Sequence, residues 1–275
     1  MGVRFALVSV AKRAVKLALL PAAYLRRERE PGLFVLIYHR VGARMGEEMD
    51  LPEARFTEQM RLLRERYTVV PLRAGLERVE ASAVDRDLVA VTFDDGYQDV
   101  FARAWPVLSA FEIPATLFLA TGFLDGTTPA PLSHPRGRGE PPRPLAWDAI
   151  HQMQQTGLVE VGSHSVTHPD FDRIDGARAE RELAESKRVI AERLGTEPVV
   201  FAYPRAVVGH QDLVTRHYRW AVGGDRGKNV PGGVDRGRVQ RTPVRRSDGT
   251  FFLRRRLDGI APLEDRLYAR MKWTR

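Results

Sequence analysis

The sequence predicts an α/β fold built on a mainly parallel β-sheet. Two observations predict it. Short apolar runs alternate with segments of helical periodicity, which is typical of strands joined by crossover helices. In addition, polar residues suited to catalysis follow several of the apolar runs. The loops after the strands of a (β/α) barrel meet at one end of the barrel, so the second observation favours a barrel.

The predicted elements follow one another along the chain. The apolar run 33–38 is the first core strand, and residues 56–67 carry apolar side chains at helical spacing. A helix near 98–111 separates the predicted strands 88–93 and 115–120. An amphipathic helix containing Leu183, Ile190 and Leu194 ends at Gly195. Further strands are predicted at 199–203, 220–222 and 239–244.

The composition is that of one large soluble domain with charged ends. The chain has 275 residues, contains no cysteine and has a formal net charge of +8. The absence of cysteine excludes disulfides, thiolate metal sites and cysteine nucleophiles. Residues 1–30 carry a net charge of +5 and residues 235–275 of +7, which leaves the body of the chain at −4. We therefore expect a catalytic domain at 31–250 and a basic C-terminal extension at 251–275.

The N-terminal segment, residues 1–30, resembles a basic amphipathic helix. Lys12, Arg13 and Lys16 share one helical face and interrupt the apolar residues, so the segment lacks the unbroken run of a signal peptide or a membrane span. Peripheral contact with a membrane is one expectation. A helix packed on the domain with its cations in water is the alternative. We expect a cytoplasmic or membrane-peripheral location and no nucleic acid partner.

Two short motifs carry the chemistry. The strand 88–93 leads directly into Asp94 and Asp95, and a second apolar run, 158–161, is followed by His164 and His168. One carboxylate and two imidazoles are a ligand set suited to Zn²⁺ or Fe²⁺ with open coordination positions. The second carboxylate is placed to act as a general base. The two motifs together predict a metal-dependent hydrolase, and their spacing leaves open which aspartate binds the metal.

At these motifs the sequence resembles the polysaccharide deacetylases of the NodB-homology type, carbohydrate esterase family 4. The resemblance extends from Leu36 to about Val244 and implies a distorted (β/α) barrel with fewer than eight strands. It also implies that Asp95, His164 and His168 bind the metal and that Asp94 is the base. Zn²⁺ is the expected ion, with Co²⁺, Ni²⁺ or Fe²⁺ as alternatives.

The general acid is assigned to a different part of the chain from that used by most of the family. Most members use a histidine in a C-terminal motif, but no histidine follows His217 here. Tyr38-His39 follows the first predicted strand and resembles the N-terminal motif of the circularly permuted poly-N-acetylglucosamine deacetylases. In that branch the histidine serves as the acid, so the resemblance implies this role for His39. A histidine with a purely structural role at a strand end is the alternative.

A third motif concerns the substrate. Tyr203 and Pro204 match the family motif in which the backbone N–H at the tyrosine position helps to bind the oxyanion. The family usually continues with an aromatic residue and a glycine, whereas this chain has Arg205 and Ala206. Many members carry an arginine near the base at the position of Ala202, and Arg241 is a candidate to supply that charge from the last strand. We expect these departures to change the shape of the substrate groove, and hence the substrate, more than the reaction.

These observations predict an N-deacetylase acting on an N-acetylhexosamine in a polysaccharide or a glycolipid. Hydrolysis of a non-sugar amide or a cyclic imide on the same barrel is one alternative. A non-catalytic basic protein that binds membranes or anionic glycans is another, although a binding protein has no need of a complete hydrolytic set. The oligomeric state is left open.

Overall fold

The computed structural model describes residues 30–42, 48–131, 142–223 and 226–258. The predicted basic N-terminal segment lies outside these residues apart from Glu30, and so do residues 259–275 of the predicted C-terminal extension. None of the helices in the described part of the chain is long and apolar enough to cross a membrane.

The strands of the described residues are short and mostly buried. They are β1 (Leu33–Tyr38), β2 (Arg40–Val41), β3 (Asp50–Leu51), β4 (Thr68–Val69), β5 (Leu88–Phe93), β6 (Ala115–Leu119), β7 (Val159–Ser163), β8 (Val200–Ala202), β9 (Trp220–Val222) and β10 (Thr242–Pro243). Every residue of β1, β5 and β6 is buried. The sequences of these strands are therefore mostly continuous apolar runs, as expected for a parallel sheet covered on both faces.

The main sheet is parallel and runs in the order β10-β1-β5-β6-β7-β8-β9, with β4 added beside β5. The segment before β10 connects its two edges, because Val239 bridges to Val222 of β9 while Thr242 pairs with Leu36 of β1. The sheet thus curls into a distorted barrel with seven strands along its path. This confirms the predicted architecture of fewer than eight strands.

Helices pack around the sheet. They are α1 (Glu53–Arg66), α2 (Leu72–Glu80), a π-helical turn (Val100–Ala104) that continues into α3 (Trp105–Ala110), α4 (Thr121–Leu124), α5 (Trp147–Gln155), α6 (Gly176–Leu194), a 3₁₀ turn (Pro204–Ala206), α7 (Gln211–His217) and α8 (Thr250–Leu257). The longest, α6, begins where the Asp175 side chain accepts a hydrogen bond from the N–H of Arg178 (2.7 Å). It ends at Gly195, whose φ of 66° is left-handed.

Two elements differ in extent from the expectation. The strand predicted at 239–244 is reduced to Thr242–Pro243. The residues before it pass from the edge strand β9 to β1 and do not pair continuously with either. The helix predicted near 98–111 begins with the π-helical turn, next to Pro106, which has no N–H to donate. At the end of the described chain, α8 buries Leu253 and Leu257 in the main core.

Candidate active site

The barrel brings Asp95, His164 and His168 together at the carboxyl ends of β5 and β7. The Nε2 atoms of both imidazoles lie 3.3 Å from Oδ1 of Asp95. One ligand atom from each residue lies within 4.8 Å of the others, and both Asp95 and His164 are buried. A tetrahedral zinc ion with bonds of about 2.0–2.1 Å separates its ligands by about 3.3 Å. The geometry therefore matches the predicted metal ligand set.

The buried polar atoms support the same interpretation. Within the described residues, neither carboxylate oxygen of Asp95 has a hydrogen-bond donor. An ionised, buried carboxylate without a donor is costly unless a cation binds it. The residues fit a divalent ion.

His164 is oriented by the backbone. Its Nδ1 lies 2.7 Å from the carbonyl oxygen of Ala202, so Nδ1–H donates there and Nε2 is left as a lone pair facing Asp95. Such a bond to the second ring nitrogen fixes the tautomer and the ring orientation of a metal-binding histidine. Ala202 therefore contributes its carbonyl group to the site.

The loop between the two histidines is held in a strained conformation by Glu182 of α6. Its carboxylate accepts hydrogen bonds from the N–H groups of Val166 (2.9 Å) and Thr167 (2.8 Å) and from the Thr167 hydroxyl. Ser165 and His168 have positive φ angles of 66° and 55°. Left-handed residues cost free energy and persist where surrounding contacts hold them. Glu182 supplies those contacts and thereby positions His168.

Asp94 is paired with Arg241, as the sequence suggested. The guanidinium donates through Nη1 to Oδ1 (2.7 Å) and through Nη2 to Oδ2 (2.9 Å), and both side chains are buried. Burial alone would raise the pKa of Asp94, but the charge of Arg241, followed by that of His164, lowers it below its ordinary value. Oδ2 also faces the metal site, at 3.9 Å from Nε2 of His164. Asp94 is thus an ionised, oriented carboxylate beside the ligands.

His39 is placed next to Asp94 by the register of the sheet. Tyr38 pairs with Phe93, so the residues that follow β1 and β5 are neighbours, and the N–H of Asp94 donates to the Tyr38 carbonyl (3.0 Å). Burial lowers the pKa of His39, while the charges of Asp95 and Asp94 oppose that effect. Its Nδ1 is buried without a partner among the described residues. The imidazole faces the same cavity as Asp94.

The expected role of the Tyr203 N–H needs correction. This group donates to the carbonyl oxygen of Val222 (3.0 Å), as part of the β8–β9 edge, so it is not free to bind an oxyanion. Tyr203 and Pro204 are buried and shape the turn beneath the site. The next residue, Arg205, has a φ of 52°, and the structure shows no acceptor for its N–H within the described residues.

A cavity of about 190 Å³ opens beside Asp94 and His39. Its remaining lining combines apolar residues with several arginines: Ile37, Met49, Arg205, Ala206, Arg226, Arg241, Pro243 and Arg245. The cavity gives a small substrate access to the predicted base and acid.

Comparison with known proteins agrees with this site. Residues 81–216 match the family described as polysaccharide deacetylase, a stretch that contains Asp94, Asp95, His164 and His168. Residues 81–216 belong to the polysaccharide deacetylase family. His39 and Arg241 lie outside the matched stretch.

The polysaccharide deacetylase domain has relatives of several sizes. YxkH of Bacillus subtilis, named as a polysaccharide deacetylase, is 24% identical over 66% of this chain and 60% of that protein. A poly-β-1,6-N-acetyl-D-glucosamine N-deacetylase of Escherichia coli is 34% identical over 79 residues, 28% of this chain and 12% of that protein. The fold resembles BC0361, a polysaccharide deacetylase from Bacillus cereus, with a TM-score of 0.68, 22% identity and coverage of 83% of this chain and 69% of that one. The chain therefore spans only part of the curated relatives that it matches.

The sequence analysis missed one residue that contacts the histidine loop of the candidate site. Glu182 lies on the buried face of α6 together with Ala179, Leu183, Ser186 and Ile190. A single carboxylate within an apolar helical stripe is unusual, since buried carboxylates need partners. That signal was available in the sequence, although it does not identify the histidine loop as the partner.

Proposed function

We propose that this chain is a metal-dependent N-deacetylase that hydrolyses the acetamide group of an N-acetylhexosamine in a polysaccharide or a glycolipid. The observation that carries the proposal is the set of Asp95, His164 and His168, in which neither Asp95 oxygen has a donor among the described residues, next to the Asp94–Arg241 pair. Family membership and the poly-N-acetylglucosamine deacetylase of E. coli support the same reaction class.

In this proposal Asp95, His164 and His168 hold the divalent ion, with Zn²⁺ expected from the nitrogen and oxygen donors. When bound, the ion supplies a Lewis acid and a water of lowered pKa. Asp94 accepts the proton of the attacking water at Oδ2, which retains a lone pair besides the one used by Arg241. Arg241 keeps that carboxylate ionised and oriented.

The remaining residues act on the substrate. Water adds to the acetamide carbon, the carbon–nitrogen bond breaks, and acetate and an amine are released. His39 gives a proton to the departing nitrogen, since its imidazole faces the cavity beside Asp94. The N–H of Arg205 replaces that of Tyr203 as the donor proposed for the developing oxyanion, because Val222 already accepts the Tyr203 hydrogen bond.

The test is acetate release from N-acetylglucosamine oligomers by metal-stripped protein, with and without added Zn²⁺ or Co²⁺. We expect release that depends on the metal and disappears in Asp95→Asn. Release by the metal-free protein at an equal rate would contradict the proposed role of the ion. Stoichiometric metal binding without acetate release from any N-acetylated sugar would favour the non-sugar amide alternative.

A further inference from the structure

The ring of His39 is not oriented by a hydrogen bond at Nδ1. This atom is buried without a partner among the described residues, whereas Nδ1 of His164 lies 2.7 Å from the carbonyl oxygen of Ala202. A group that transfers a proton must lie within hydrogen-bond reach of its target, and a displacement of about 1 Å can lower the rate by about 10²-fold. The position of His39 therefore depends on the backbone on either side of it.

The backbone before His39 is fixed by the strand that carries the predicted base. The N–H of Asp94 donates to the carbonyl oxygen of Tyr38 (3.0 Å). The Tyr38 hydroxyl donates to Oε1 of Gln59 on α1 (2.9 Å), and both of these side chains are buried. This side of His39 is thus anchored to β5 and to α1.

The backbone after His39 is fixed by Asp99. Its Oδ2 accepts a hydrogen bond from Nε of Arg40 (2.7 Å), and its Oδ1 accepts one from the N–H of Val41 (3.3 Å). The exposed fractions of the Arg40 and Asp99 side chains are only 9% and 14%. The guanidinium of Arg40 also lies 5.3 Å from the centre of the Tyr97 ring, within the range of a cation–π contact. One carboxylate therefore binds both residues that follow His39.

Asp99 lies on the same segment as the predicted base and a predicted metal ligand. Residues 94–99 form one continuous stretch that begins with Asp94 and Asp95, and the π-helical turn starts directly after it. Such turns are rare and are found frequently at functional sites. The same segment that carries the base and the ligand thus contacts the chain on both sides of His39.

We propose that Asp99 and Arg40 are positioning residues, which hold the His39 imidazole where it can give a proton to the departing nitrogen. The proposal rests on the proposed deacetylase function and adds the residues on which its acid step depends. Replacing a buried ion pair by apolar side chains often leaves stability unchanged or increases it, which favours a positioning role for this pair over a stabilising one. The guanidinium suits that role because its donors point in fixed directions.

The proton step distinguishes positioning of the acid from general damage. Breaking the carbon–nitrogen bond of the tetrahedral intermediate requires a proton on the nitrogen, because an amine anion is a very poor leaving group. An aryl ester such as 4-nitrophenyl acetate requires no such proton, since its carbon–oxygen bond breaks to release a stable phenolate. Both substrates depend on the same attacking water and on Asp94. A loss confined to the acetamide therefore reports on the acid.

The test compares hydrolysis of an N-acetylglucosamine oligomer and of 4-nitrophenyl acetate by the zinc-loaded protein. In Asp99→Asn we expect kcat for the oligomer to fall by about 10- to 100-fold, with little change in the rate for the ester. His39→Ala should show the same asymmetry. Adding Asp99→Asn to His39→Ala should cause no further loss on the oligomer, because both changes act on one step.

Two further variants sharpen the comparison. Arg40→Lys keeps the charge and one hydrogen bond to Asp99, so it should retain part of the activity on the oligomer. Asp87→Asn makes the same change of carboxylate to amide at the other end of the barrel, where Asp87 is paired with Lys228, and is the matched control. It should leave the ratio of the two rates unchanged.

Three results would overturn the proposal while leaving the deacetylase intact. Equal losses on both substrates in Asp99→Asn would mean that the variant damages the fold or the metal site. A further loss on the oligomer when Asp99→Asn is added to His39→Ala would mean that Asp99 acts independently of the acid. Equal losses on both substrates in His39→Ala would mean that His39 is not the acid.

Failure of the proposed function is recognised separately, as the absence of acetate release from any N-acetylated sugar by the wild type. The NMR signals of the His39 ring, assigned by their absence from His39→Ala, then decide on positioning alone. A change in these signals in Asp99→Asn, but not in Asp87→Asn, supports positioning by Asp99. Signals that stay the same in Asp99→Asn overturn it.

Discussion

The two ends of the barrel differ in how their carboxylates are paired. At the amino end, Asp87 accepts hydrogen bonds from the Gly32 N–H and from the Lys228 ammonium, both at 3.1 Å. At the carboxyl end, both oxygens of Asp95 are buried without a donor in the described structure, and Asp95 itself has a left-handed φ of 75°. The first arrangement stabilises the fold, whereas the second is suited to binding a cation.

The difference shows that the unfavourable free energy of an unpaired buried carboxylate is found at the candidate functional site. Buried polar groups are normally paired, and each exception needs a physical explanation. Glu80 at the amino end has three partners, Trp220, Arg236 and Arg219. At the candidate metal site Asp95, Ser165 and His168 have left-handed φ angles and the Asp95 carboxylate has no donor among the described residues, which indicates that ligand binding compensates these costs. Carboxylate variants at the two ends therefore separate function from stability.

The largest expected effect comes from Asp95→Asn. Loss of the charged ligand removes several kcal/mol of stabilisation of the transition state, which corresponds to a loss of activity of about 10²–10⁴. The metal-free variant should be at least as stable as the wild type, because a buried, unpaired charge is removed. Acetate release and thermal melting of metal-free protein measure the two effects.

Asp87→Asn is the matched control at the other end. It makes the same change of carboxylate to amide but leaves Lys228, whose side chain is fully buried, without its counter-charge. We expect a lower melting temperature and unchanged turnover. A melting temperature that falls in Asp95→Asn and rises in Asp87→Asn would reverse the comparison.

The next effect concerns Arg241→Lys. The ammonium cannot reproduce the paired hydrogen bonds to Asp94, so we expect activity to fall by about 10- to 100-fold. Because Arg241 lowers the pKa of Asp94, weakening that contact raises it, and the base becomes protonated at a higher pH. The acidic limb of the kcat/KM profile should therefore move to higher pH. A lower rate with an unmoved limb would show that Arg241 acts only by positioning.

The grouping of Asp95, His164 and His168 could be predicted from sequence because these residues follow strands of one parallel sheet. Asp95 and His164 closely follow buried strands, and the carboxyl ends of parallel strands meet at one edge of the sheet. The two intact motifs also carry the resemblance to the family, which the matched residues 81–216 confirm. The barrel path was predictable for a similar reason, since apolar runs and helical periodicity alternate along most of the chain.

Other contacts depend on geometry that the sequence does not record. The Tyr203 N–H is used by Val222 because of the register between β8 and β9. Glu182 reaches the histidine loop only through the packing of α6 on β7. The role of Arg241 was suggested by the sequence, but its two bonds to Asp94 require β10 to lie beside β1.

Glu182→Ala should have an intermediate effect. Removing this carboxylate leaves the N–H groups of Val166 and Thr167 without an acceptor and frees the strained loop that carries His168. Partners of metal ligands typically contribute about 10- to 100-fold to metal affinity or activity. We expect a loss of that size in zinc affinity, measured by competition with a chelator. Glu185→Ala, on the exposed face of the same helix, should leave the affinity unchanged.

The smallest effect on activity is expected for Glu80→Gln at the amino end. Burial alone would raise the pKa of Glu80, but its hydrogen bonds from Arg236 and Trp220 lower it below the ordinary value of 4.5. A lowered carboxyl pKa contributes stability above the unfolded-state value, and that stability is lost as the pH falls through the folded-state value. The variant should therefore melt below the wild type at pH 7, with a destabilisation of about 1–3 kcal/mol.

The difference in stability between the variant and the wild type should shrink on acidification below pH 4.5, while turnover at neutral pH stays the same. A constant difference across pH would mean that packing around Trp220, rather than the charge of Glu80, stabilises this end of the barrel.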